Sequence, residues 1–278
     1  MRKDFCVFIL SHGRPNVVKT LPTLIKGGYT GDWYIVIDNE DKTAPQYYEN
    51  FGRDHVKMFN KLQVSKTFDT ADNFNNRKCI VFARNKCWDL ARRLGYSYFI
   101  QLDDDYVWFG FRGETRCAVI PNLDLIFTYL VEFLENTPES VKTICFSQGG
   151  DHIGGFDSTR GMHRKAMNSF VCKTDRQFQF LGTINEDVNT YVRLGGVGDL
   201  FFTVWNIQLT QVATQTNSGG ITDFYLTYGT YVKSFYTVMM NPSCVSVKMM
   251  SAKNPRLHHS INWGDAVPCI LPEKCKKF

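Results

Sequence analysis

The sequence predicts an α/β fold in which a mostly parallel, Rossmann-like sheet in the first half of the chain merges with a mixed sheet in the second half. Strand-like and helix-like segments alternate up to about residue 105, which is typical of parallel strands joined by crossover helices. The second half contains several short strand-like runs with fewer helices between them. No linker or low-complexity stretch separates the halves, so the 278 residues are expected to share one core.

In the first half, short apolar or aromatic runs predict strands, and apolar residues at intervals of three and four predict helices. The predicted strands are Phe5–Leu10, 33–37, Val56–Phe59 and 98–102, and the predicted helices are 16–26, Ala44–Phe51 and 79–95. The polar stretch 60–78 is expected to form a long loop.

The second half is less regular. Strands are predicted at 143–147, 169–172, 177–181, 201–204 and 210–213, and helices at 123–136, 186–194 and 225–236. A glycine-rich loop, 149–156, follows the first of these strands, and the tail from Asn254 is expected to be extended.

Composition narrows the class of protein further. The formal charge of +5 permits a polyanionic partner without requiring one. Nine cysteines, an odd number without a C-x-x-C pair, argue against a disulfide scaffold or a zinc ribbon. The apolar run Phe5–Leu10 is too short for a signal peptide or a membrane span, so we expect a cytoplasmic protein without a membrane partner.

Three consecutive aspartates, Asp103 to Asp105, directly follow the predicted strand 98–102. Neighbouring carboxylates repel one another unless a cation or several hydrogen-bond donors offset their charge. Mg²⁺ and Mn²⁺ prefer such oxygen ligands, and open parallel sheets bind ligands at the carboxyl ends of their strands. The pattern predicts a divalent cation bound together with a diphosphate; a solvated acidic turn is the alternative.

Other polar residues follow the neighbouring predicted strands and would lie at the same sheet edge. Asp38 ends the second strand, where a carboxylate can accept a hydrogen bond from a nucleobase imide or a ribose hydroxyl. Ser11, His12 and Arg14 follow the first strand and offer polar groups and a cation in the same place. The alternative for Asp38 is a turn or helix cap.

Arg84 and Asn85 lie near the start of the predicted helix 79–95. A guanidinium can contact phosphate through two N–H groups, and an amide can contact a sugar. The alternative for Arg84 is an exposed helix face.

Two acidic residues, Glu186 and Asp187, open the predicted helix 186–194. Acidic residues at this position stabilise a helix through its dipole, which gives the pair a structural interpretation. Transfer of a group to a hydroxyl, however, requires a base that removes the hydroxyl proton, and a carboxylate can do so. The residues alone leave both interpretations open.

Near the end of the chain, His258 and His259 are adjacent in an extended segment, so only one of them can ligate a metal ion held by Asp105. A surface histidine pair is the alternative. The glycine-rich stretch 149–156 has neither Walker nor Rossmann spacing, and it predicts backbone that a bulky ligand can approach closely.

The order of these features resembles the GT-A glycosyltransferases: a strand ending in Asp, an Arg-bearing helix, a strand ending in D-x-D, a glycine-rich loop, an acidic pair and a late His. The resemblance implies the GT-A fold, with a nucleotide-sugar-binding half over 1–113 and an acceptor-binding half over 114–278 of one continuous domain. It also implies Mn²⁺ or Mg²⁺ as cofactor and a UDP-sugar as donor substrate.

The resemblance also assigns roles. Asp105 and one of the histidines would hold the metal ion, and Asp187, with Glu186 beside it, would be the catalytic base. The implied donor-binding residues are Ser11, His12, Arg14, Asp38, Arg84, Asn85, Asp103 and Asp104. The implied acceptor- and DNA-binding residues are Gly154, Gly155, Arg112, Arg160 and Arg164, with Arg116 and Lys165 as further phosphate contacts.

More narrowly, the stretches ILSHGRP, DWYIVIDNED, VFARN, FIQLDDDY and NEDV resemble the TET-associated glycosyltransferases, which are largely encoded by bacteriophages. This likeness implies transfer of the sugar to 5-hydroxymethylcytosine or 5-hydroxymethyluracil in DNA, with inversion of the anomeric centre, in the host cytoplasm. The base must then be flipped out of the duplex and stacked, with Trp108, Phe109, Phe111 and Phe156 as candidates. Binding of DNA is expected to weaken with salt.

Three other functions are compatible with some of these residues. A GT-A enzyme of this kind can act on a polysaccharide or a protein. A metal-dependent nuclease also clusters aspartates, but it leaves Asp38 and Arg84 without a role. A DNA-binding module without activity would place three like charges against a polyanion. No obligate protein partner is expected.

Overall fold

The structure is a computed structural model that describes residues 1–71, 77–114, 116–152, 165–212, 227–229, 231–250, 255–266 and 273. The strands of the main sheet are β1 (Phe5–Leu10), β2 (Asp32–Asp38), β3 (Val56–Phe59), β4 (Tyr98–Asp103), β5 (Tyr106–Arg112), β6 (Cys117–Val119), β7 (Val141–Gln148), β8 (Ser169–Lys173) and β9 (Leu200–Gln211). A small second sheet pairs β10 (Val245–Met249) with β11 (Leu257–Ile261). The helices are α1 (Thr20–Lys26), α2 (Ala44–Phe51), α3 (Lys61–Ser65), α4 (Val81–Leu94), α5 (Leu123–Glu135), α6 (Glu186–Gly195) and α7 (Val232–Met240).

The main sheet has the order β3-β2-β1-β4-β8-β7-β9-β5-β6. Strands β3, β2, β1 and β4 are parallel, as predicted for the first half. Strand β8 is antiparallel to both of its neighbours, β7 and β9 are parallel, and β5 is antiparallel to β9 and β6. The predicted merger of a parallel and a mixed sheet is therefore confirmed.

Both faces of this sheet are covered, which explains why β1 is apolar at every position. All six of its residues are buried, and alternate side chains enter two different hydrophobic clusters. Phe5, Val7 and Ile9 pack with residues of α1, α2 and α5, whereas Cys6, Phe8 and Leu10 pack with residues of α4 and α6. Each cluster takes residues from both halves of the chain, as expected for a shared core.

The topology brings several strand ends together. From β1 the chain adds β2 and β3 on one side, and β4 then pairs on the other side of β1, with Leu10 opposite Asp103. Such a reversal opens a crevice at the carboxyl ends of the strands, where α/β proteins bind ligands. Strand β7 runs parallel to β4 through β8, and it ends at the same edge before a 3-10 turn, Gly149–His152.

Two predicted boundaries in the first half are wrong. Helix α1 begins at Thr20 and not at residue 16, because the backbone N–H groups of Lys19 and Thr20 both donate to the carbonyl oxygen of Asp104, which anchors the first turn there. The predicted loop 60–78 contains α3, which Asn60 caps by accepting a hydrogen bond from the backbone N–H of Gln63.

In the second half, the predicted strand 177–181 is absent, because the side chain of Asn85 takes both backbone groups of Phe180. The predicted strand 201–204 and the start of the predicted strand 210–213 belong to one strand, β9, which ends at Gln211 and whose pairing with β7 shifts register between Phe146 and Ser147. Residue 213 lies outside the described part. The predicted helix 225–236 overlaps α7, which begins at Val232 and ends at Met240; residues 225, 226 and 230 lie outside the described part. Across the described ranges, no helix is both long and apolar enough to cross a membrane.

Candidate active site

The first carboxylate of the triplet, Asp103, is joined to the acidic pair of α6 by a buried arginine. Arg84 donates through Nη2 to Asp103 Oδ1 at 2.9 Å and through Nε to Glu186 Oε1 at 3.0 Å. The guanidinium side chain is 1% exposed and lies over the rings of Phe170 and Phe180. Burial raises the pKa of Asp103 to about 6 despite the opposing charge of Arg84.

This placement differs from the expected direct contact of Arg84 with phosphate. The residue instead bridges two acidic segments that are far apart in sequence, one after β4 and one at the start of α6. The bridge explains how the triplet and the acidic pair come to lie in one site.

The second carboxylate, Asp104, points into the protein and not towards a ligand. Its side chain is 1% exposed, accepts a hydrogen bond from Ser11 Oγ at 2.5 Å and pairs with Arg14 Nη2 at 3.0 Å. Burial raises the pKa of Asp104 to about 6, although Arg14 and Ser11 oppose the shift. The three residues expected to contact the donor are thus engaged with one another and fix the loop after β1.

The third carboxylate, Asp105, differs from Asp104 in that one of its oxygens has no ion pair among the described residues, whereas Asp104 Oδ1 lacks a hydrogen bond but pairs with Arg14. Asp105 Oδ1 is buried and has no hydrogen-bond partner in the part of the chain that the structure describes. Burial and the neighbouring Asp104 raise the pKa of Asp105. A cation placed against this oxygen would satisfy it and relieve the repulsion, so Asp105 fits the role of a metal ligand.

His258 and His259 lie on β11 among basic side chains. His258 Nδ1 is 2.8 Å from the backbone oxygen of His259, and the two rings are 4.2 Å apart. Burial lowers the pKa of His259 to about 3, and the positive charges of Lys165 and Lys233 add to the shift. The pKa of His258 is also lowered, by burial and by the same lysines together with Arg256. Both rings are therefore neutral at pH 7, the form that binds metal ions.

The described ranges contain no group of three or more His, Cys, Asp and Glu side chains that could hold a metal ion by themselves. A divalent ion would therefore have to take Asp105, at most one histidine, and further oxygens from a diphosphate and water. Mg²⁺ is commonly bound in this way, through one or two carboxylates and substrate phosphates.

Asp38 was expected to accept a hydrogen bond from the donor, but both of its oxygens already have protein partners. Oδ2 lies 2.8 Å from His12 Nδ1 and 3.0 Å from Lys61 Nζ, and Oδ1 accepts from the backbone N–H of Glu40 at 3.0 Å. Burial alone would raise the pKa of Asp38, but the hydrogen bond from His12 and the charge of Lys61 outweigh it and lower the pKa. The carboxylate is 4% exposed and is therefore an internal anion.

Lys61 is a residue of this edge that the sequence pattern does not indicate, because the polar stretch 60–78 predicts a long loop. Its side chain is 4% exposed, and its charge neutralises Asp38. Two signals were available: Asn60 followed by Gln63 resembles a helix start, and Lys61 comes two residues after a strand parallel to β2.

The amide of Asn85 has a structural partner. Its Nδ2 donates to the Phe180 carbonyl at 3.0 Å, and its Oδ1 accepts from the Phe180 N–H at 2.8 Å. These two hydrogen bonds fasten α4 to the segment that leads into α6. A contact of Asn85 with the donor sugar would require breaking them.

The acidic pair at the start of α6 is buried. Asp187 is 8% exposed, and its Oδ1 accepts from the backbone N–H of Val188 at 2.8 Å. Burial and the neighbouring charge of Glu186 raise the pKa of Asp187 well above the ordinary value for an aspartate. A carboxylate with a raised pKa, close to other charged groups at a sheet edge, has the properties of a general base that works near neutral pH.

Asn185 positions this pair and was not anticipated. It adopts the left-handed conformation with φ of 53°, and its Nδ2 donates to the Lys233 carbonyl at 2.8 Å and to Thr237 Oγ1 at 2.9 Å. The start of α6 is thereby tied to α7. An asparagine directly before two acids is compatible with this conformation, since Asn tolerates it better than most residues do.

On the expected acceptor side, Phe109 is buried in the core and cannot stack on a base, whereas Phe111 is 49% exposed. Trp108 lies across Gly110, where an added Cβ would be 1.8 Å from the indole. Arg112 donates to Gln208 Oε1 at 3.0 Å. Gly154, Gly155, Phe156, Arg160 and Arg164 lie outside the described residues.

A family model described as TET-Associated Glycosyltransferase matches residues 5–220, which is most of the chain. The chain belongs to the TET-associated glycosyltransferase family. This confirms the resemblance predicted from the motifs, and it makes glycosyl transfer the class of activity. The search of curated proteins gives no match.

Solved structures resemble this TET-associated glycosyltransferase only distantly. Glucosyl-3-phosphoglycerate synthase from Mycobacterium tuberculosis, in complex with Mg²⁺ and uridine diphosphate, is 9% identical with a TM-score of 0.46, over 93% of this chain and 88% of that one. A mannosyltransferase from Pyrobaculum calidifontis, in complex with GDP-Man and Mn²⁺, is 10% identical with a TM-score of 0.46, over 86% and 74% of the two chains. The sheet topology and the family assignment agree with the predicted GT-A fold class.

The bridging role of Arg84 leads to a prediction about stability. Replacing Arg84 by Met leaves Asp103 and Glu186 buried without their cation, which should lower the free energy of unfolding by roughly 3–5 kcal/mol at neutral pH. The loss should shrink at acid pH, where the unpaired carboxylates take up protons. Urea denaturation measures both effects.

Arg93→Met is the matched control for this prediction, because Arg93 lies on the same helix with its side chain 69% exposed and paired with Asp89 at the surface. A surface pair of this kind contributes about 0–1 kcal/mol. Equal losses in the two variants would contradict the bridging role of Arg84.

Proposed function

We propose that this protein transfers a sugar from a UDP-sugar to the hydroxymethyl group of 5-hydroxymethylcytosine or 5-hydroxymethyluracil in phage DNA, with inversion at the anomeric carbon. The match of residues 5–220 to the TET-associated glycosyltransferase family carries this proposal. The donor would bind to the half over 1–113, and the acceptor to the half over 114–278.

The base is Asp187. Its buried carboxylate takes the proton from the hydroxymethyl oxygen as that oxygen attacks the anomeric carbon and the bond to the UDP oxygen breaks. Glu186 forms an ion pair with Arg84, which leaves Asp187 as the carboxylate of the pair without an ion pair in the described part of the chain. A Mg²⁺ or Mn²⁺ ion at Asp105, with His258 or His259, would supply positive charge that stabilises the departing diphosphate.

Ser11, Arg14 and Asp104 support the donor indirectly, because they hold the loop after β1 in place through their mutual contacts. Arg84 does the same for Asp103 and Glu186. Direct contacts with the donor are then left to residues at the edge whose polar atoms face outward, such as His12.

For the acceptor, one face of β5 offers an aromatic side chain beside a basic residue: Trp108 lies flat on the strand because position 110 has no side chain, and Arg112 is held by Gln208. Phe111 is half exposed on the opposite face of the strand. Flipped bases stack on such aromatic groups, and arginine contacts the phosphates. Arg116 and Lys165 are exposed and can add charge to this surface.

The proposal is tested by incubating the protein with Mn²⁺, a panel of UDP-sugars and three DNAs of one sequence that contain cytosine, 5-hydroxymethylcytosine or 5-hydroxymethyluracil. The DNA is digested to nucleosides and analysed by mass spectrometry. We expect a pentose or hexose mass increment on a hydroxymethylated nucleoside only, and initial rates that fall as salt increases from 50 to 200 mM.

Each other outcome points to a different function. Slow hydrolysis of the UDP-sugar with no increment on any DNA would overturn the DNA acceptor and favour a glycan or protein acceptor. Cleavage of DNA with metal alone would favour the nuclease.

A further inference from the structure

The edge of the sheet at β1, β2 and β3 carries a chain of hydrogen bonds that ends in a partly exposed histidine ring. Lys61 Nζ and His12 Nδ1 both contact Asp38 Oδ2, at 3.0 and 2.8 Å. Lys61 and Asp38 are buried, whereas the His12 side chain is 35% exposed. The imidazole is therefore the member of this chain that a ligand can reach.

The surroundings of the ring determine which nitrogen carries its proton. Besides Asp38, the carboxylate oxygen Asp41 Oδ2 lies 3.8 Å from His12 Nδ1, and this oxygen also accepts from the backbone N–H of Gly13 at 2.7 Å. A nitrogen that faces two carboxylates must donate to them, so Nδ1 bears the hydrogen. In the neutral ring, Nε2 then carries a lone pair, and it makes no hydrogen bond within the described part of the chain.

We infer that His12 Nε2 selects the donor's nucleobase by accepting a hydrogen bond from an imide N–H, as uracil offers at N3, while Asp38, itself held by Lys61, fixes the ring with Nδ1 as the donor. This inference rests on the proposed function, because it assumes that the crevice at this edge binds a nucleoside diphosphate sugar. It transfers the accepting role expected of Asp38 to a side chain that is partly exposed.

The consequence is selectivity between pyrimidines of the same size. Cytosine carries a lone pair at N3 where uracil carries a hydrogen, so cytosine would place two acceptors against each other. A buried or half-buried acceptor that loses its donor is costly, and sites built around one hydrogen bond reject analogues that lack it. A methyl group at N3 of uracil removes the same hydrogen without changing the protein.

The experiment measures dissociation constants of UDP, CDP and N3-methyl-UDP by titration calorimetry in the presence of Mn²⁺. For the wild-type protein we expect UDP to bind roughly 10- to 100-fold more tightly than either analogue. In His12→Leu, UDP and CDP should bind within about threefold of each other. In Asp38→Asn, whose amide no longer enforces one tautomer, the preference should fall to an intermediate value.

His55→Leu is the matched control. His55 stacks on Trp33 at 4.0 Å, and its Nδ1 lies 3.0 Å from the backbone oxygen of Trp33, near the opposite end of β2. This variant removes an imidazole from the same sheet away from the crevice, so its preference for UDP should equal that of the wild-type protein.

Wild-type binding of CDP or N3-methyl-UDP as tight as that of UDP would overturn the inference, and this result does not depend on whether any variant folds. A full preference for UDP in a folded His12→Leu variant would also overturn it. The absence of any nucleotide binding would overturn the proposed function as well. A preference for UDP that requires His12, without transfer to hydroxymethylated DNA, would overturn only the proposed acceptor.

Discussion

Asp187→Asn should abolish sugar transfer while making the protein more stable. The amide cannot take the proton of the hydroxymethyl group, and a general base contributes about 10²–10⁴-fold to a rate, so kcat should fall by that factor. Binding of UDP should change little, because Asp187 acts on the acceptor. Initial rates with hydroxymethylated DNA, and calorimetry with UDP, measure the two quantities.

The gain in stability follows from the raised pKa of Asp187. A carboxyl group whose folded pKa lies above its unfolded value stabilises the folded state below the unfolded pKa, and this contribution is lost as the pH rises through the folded pKa. At neutral pH the folded protein therefore carries the cost of a buried charge. Asn removes that cost, so the free energy of unfolding should increase by roughly 1–3 kcal/mol at pH 8, with the difference vanishing near pH 3.

The same shift predicts the pH dependence of activity. Asp187 must be ionised to act as a base, so kcat should fall on the acid side at a pH well above the ordinary aspartate value of about 3.9. Glu186→Gln is the matched control: it weakens the ion pair with Arg84 and should lower stability, but it retains the base and most of the turnover. Full activity of Asp187→Asn, or a loss of stability in that variant, would contradict the assignment.

Asp105→Asn should remove metal-dependent binding of UDP. Asp105 has a buried oxygen with no hydrogen-bond partner among the described residues, and unlike the corresponding oxygen of Asp104 it has no arginine paired with it there. Replacing a charged ligand by a neutral amide of the same shape should weaken the affinity for Mn²⁺ in the presence of UDP by about 10- to 100-fold or more, and turnover should be lost with it. Electron paramagnetic resonance of free Mn²⁺ measures the affinity without an activity assay.

Asp104→Asn is the control that removes one negative charge from the triplet without removing the proposed metal ligand. The Asp104 carboxylate is occupied by Ser11 and Arg14, so its replacement should lower the free energy of unfolding and change the Mn²⁺ affinity less than Asp105→Asn does. Tight binding of Mn²⁺ and UDP by Asp105→Asn would exclude Asp105 as the metal ligand.

The sequence predicted the parallel half of the fold well because its elements have strong local patterns. Strand β1 is apolar at every position since both faces of the sheet are covered, and Phe5–Leu10, Ala44–Phe51 and Val56–Phe59 have the predicted bounds. The segment 177–181 has the composition of a strand, but Asn85 takes the backbone groups that a strand would need. Only the tertiary structure brings that amide to Phe180.

The candidate site was predicted as a set of residues, but not as a set of contacts. Strand order placed Asp38, the triplet and the loop after β1 at one edge. It could not show that Asp104 turns inward to Ser11 and Arg14, or that Arg84 connects Asp103 with Glu186. Ser11 and Asp104 are 93 residues apart in sequence, and Arg84 and Glu186 are 102 residues apart. Long-range ion pairs leave no local pattern in a sequence.

The configuration of the new glycosidic bond tests the central claim, that Asp187 activates the hydroxyl for one direct displacement. The product released from hydroxymethylated DNA is analysed by proton NMR, and the coupling constant of the anomeric proton is compared with that of the UDP-sugar. We predict the opposite configuration to that of the donor. Retention of the donor's configuration would contradict a direct displacement and the role of Asp187 as its base.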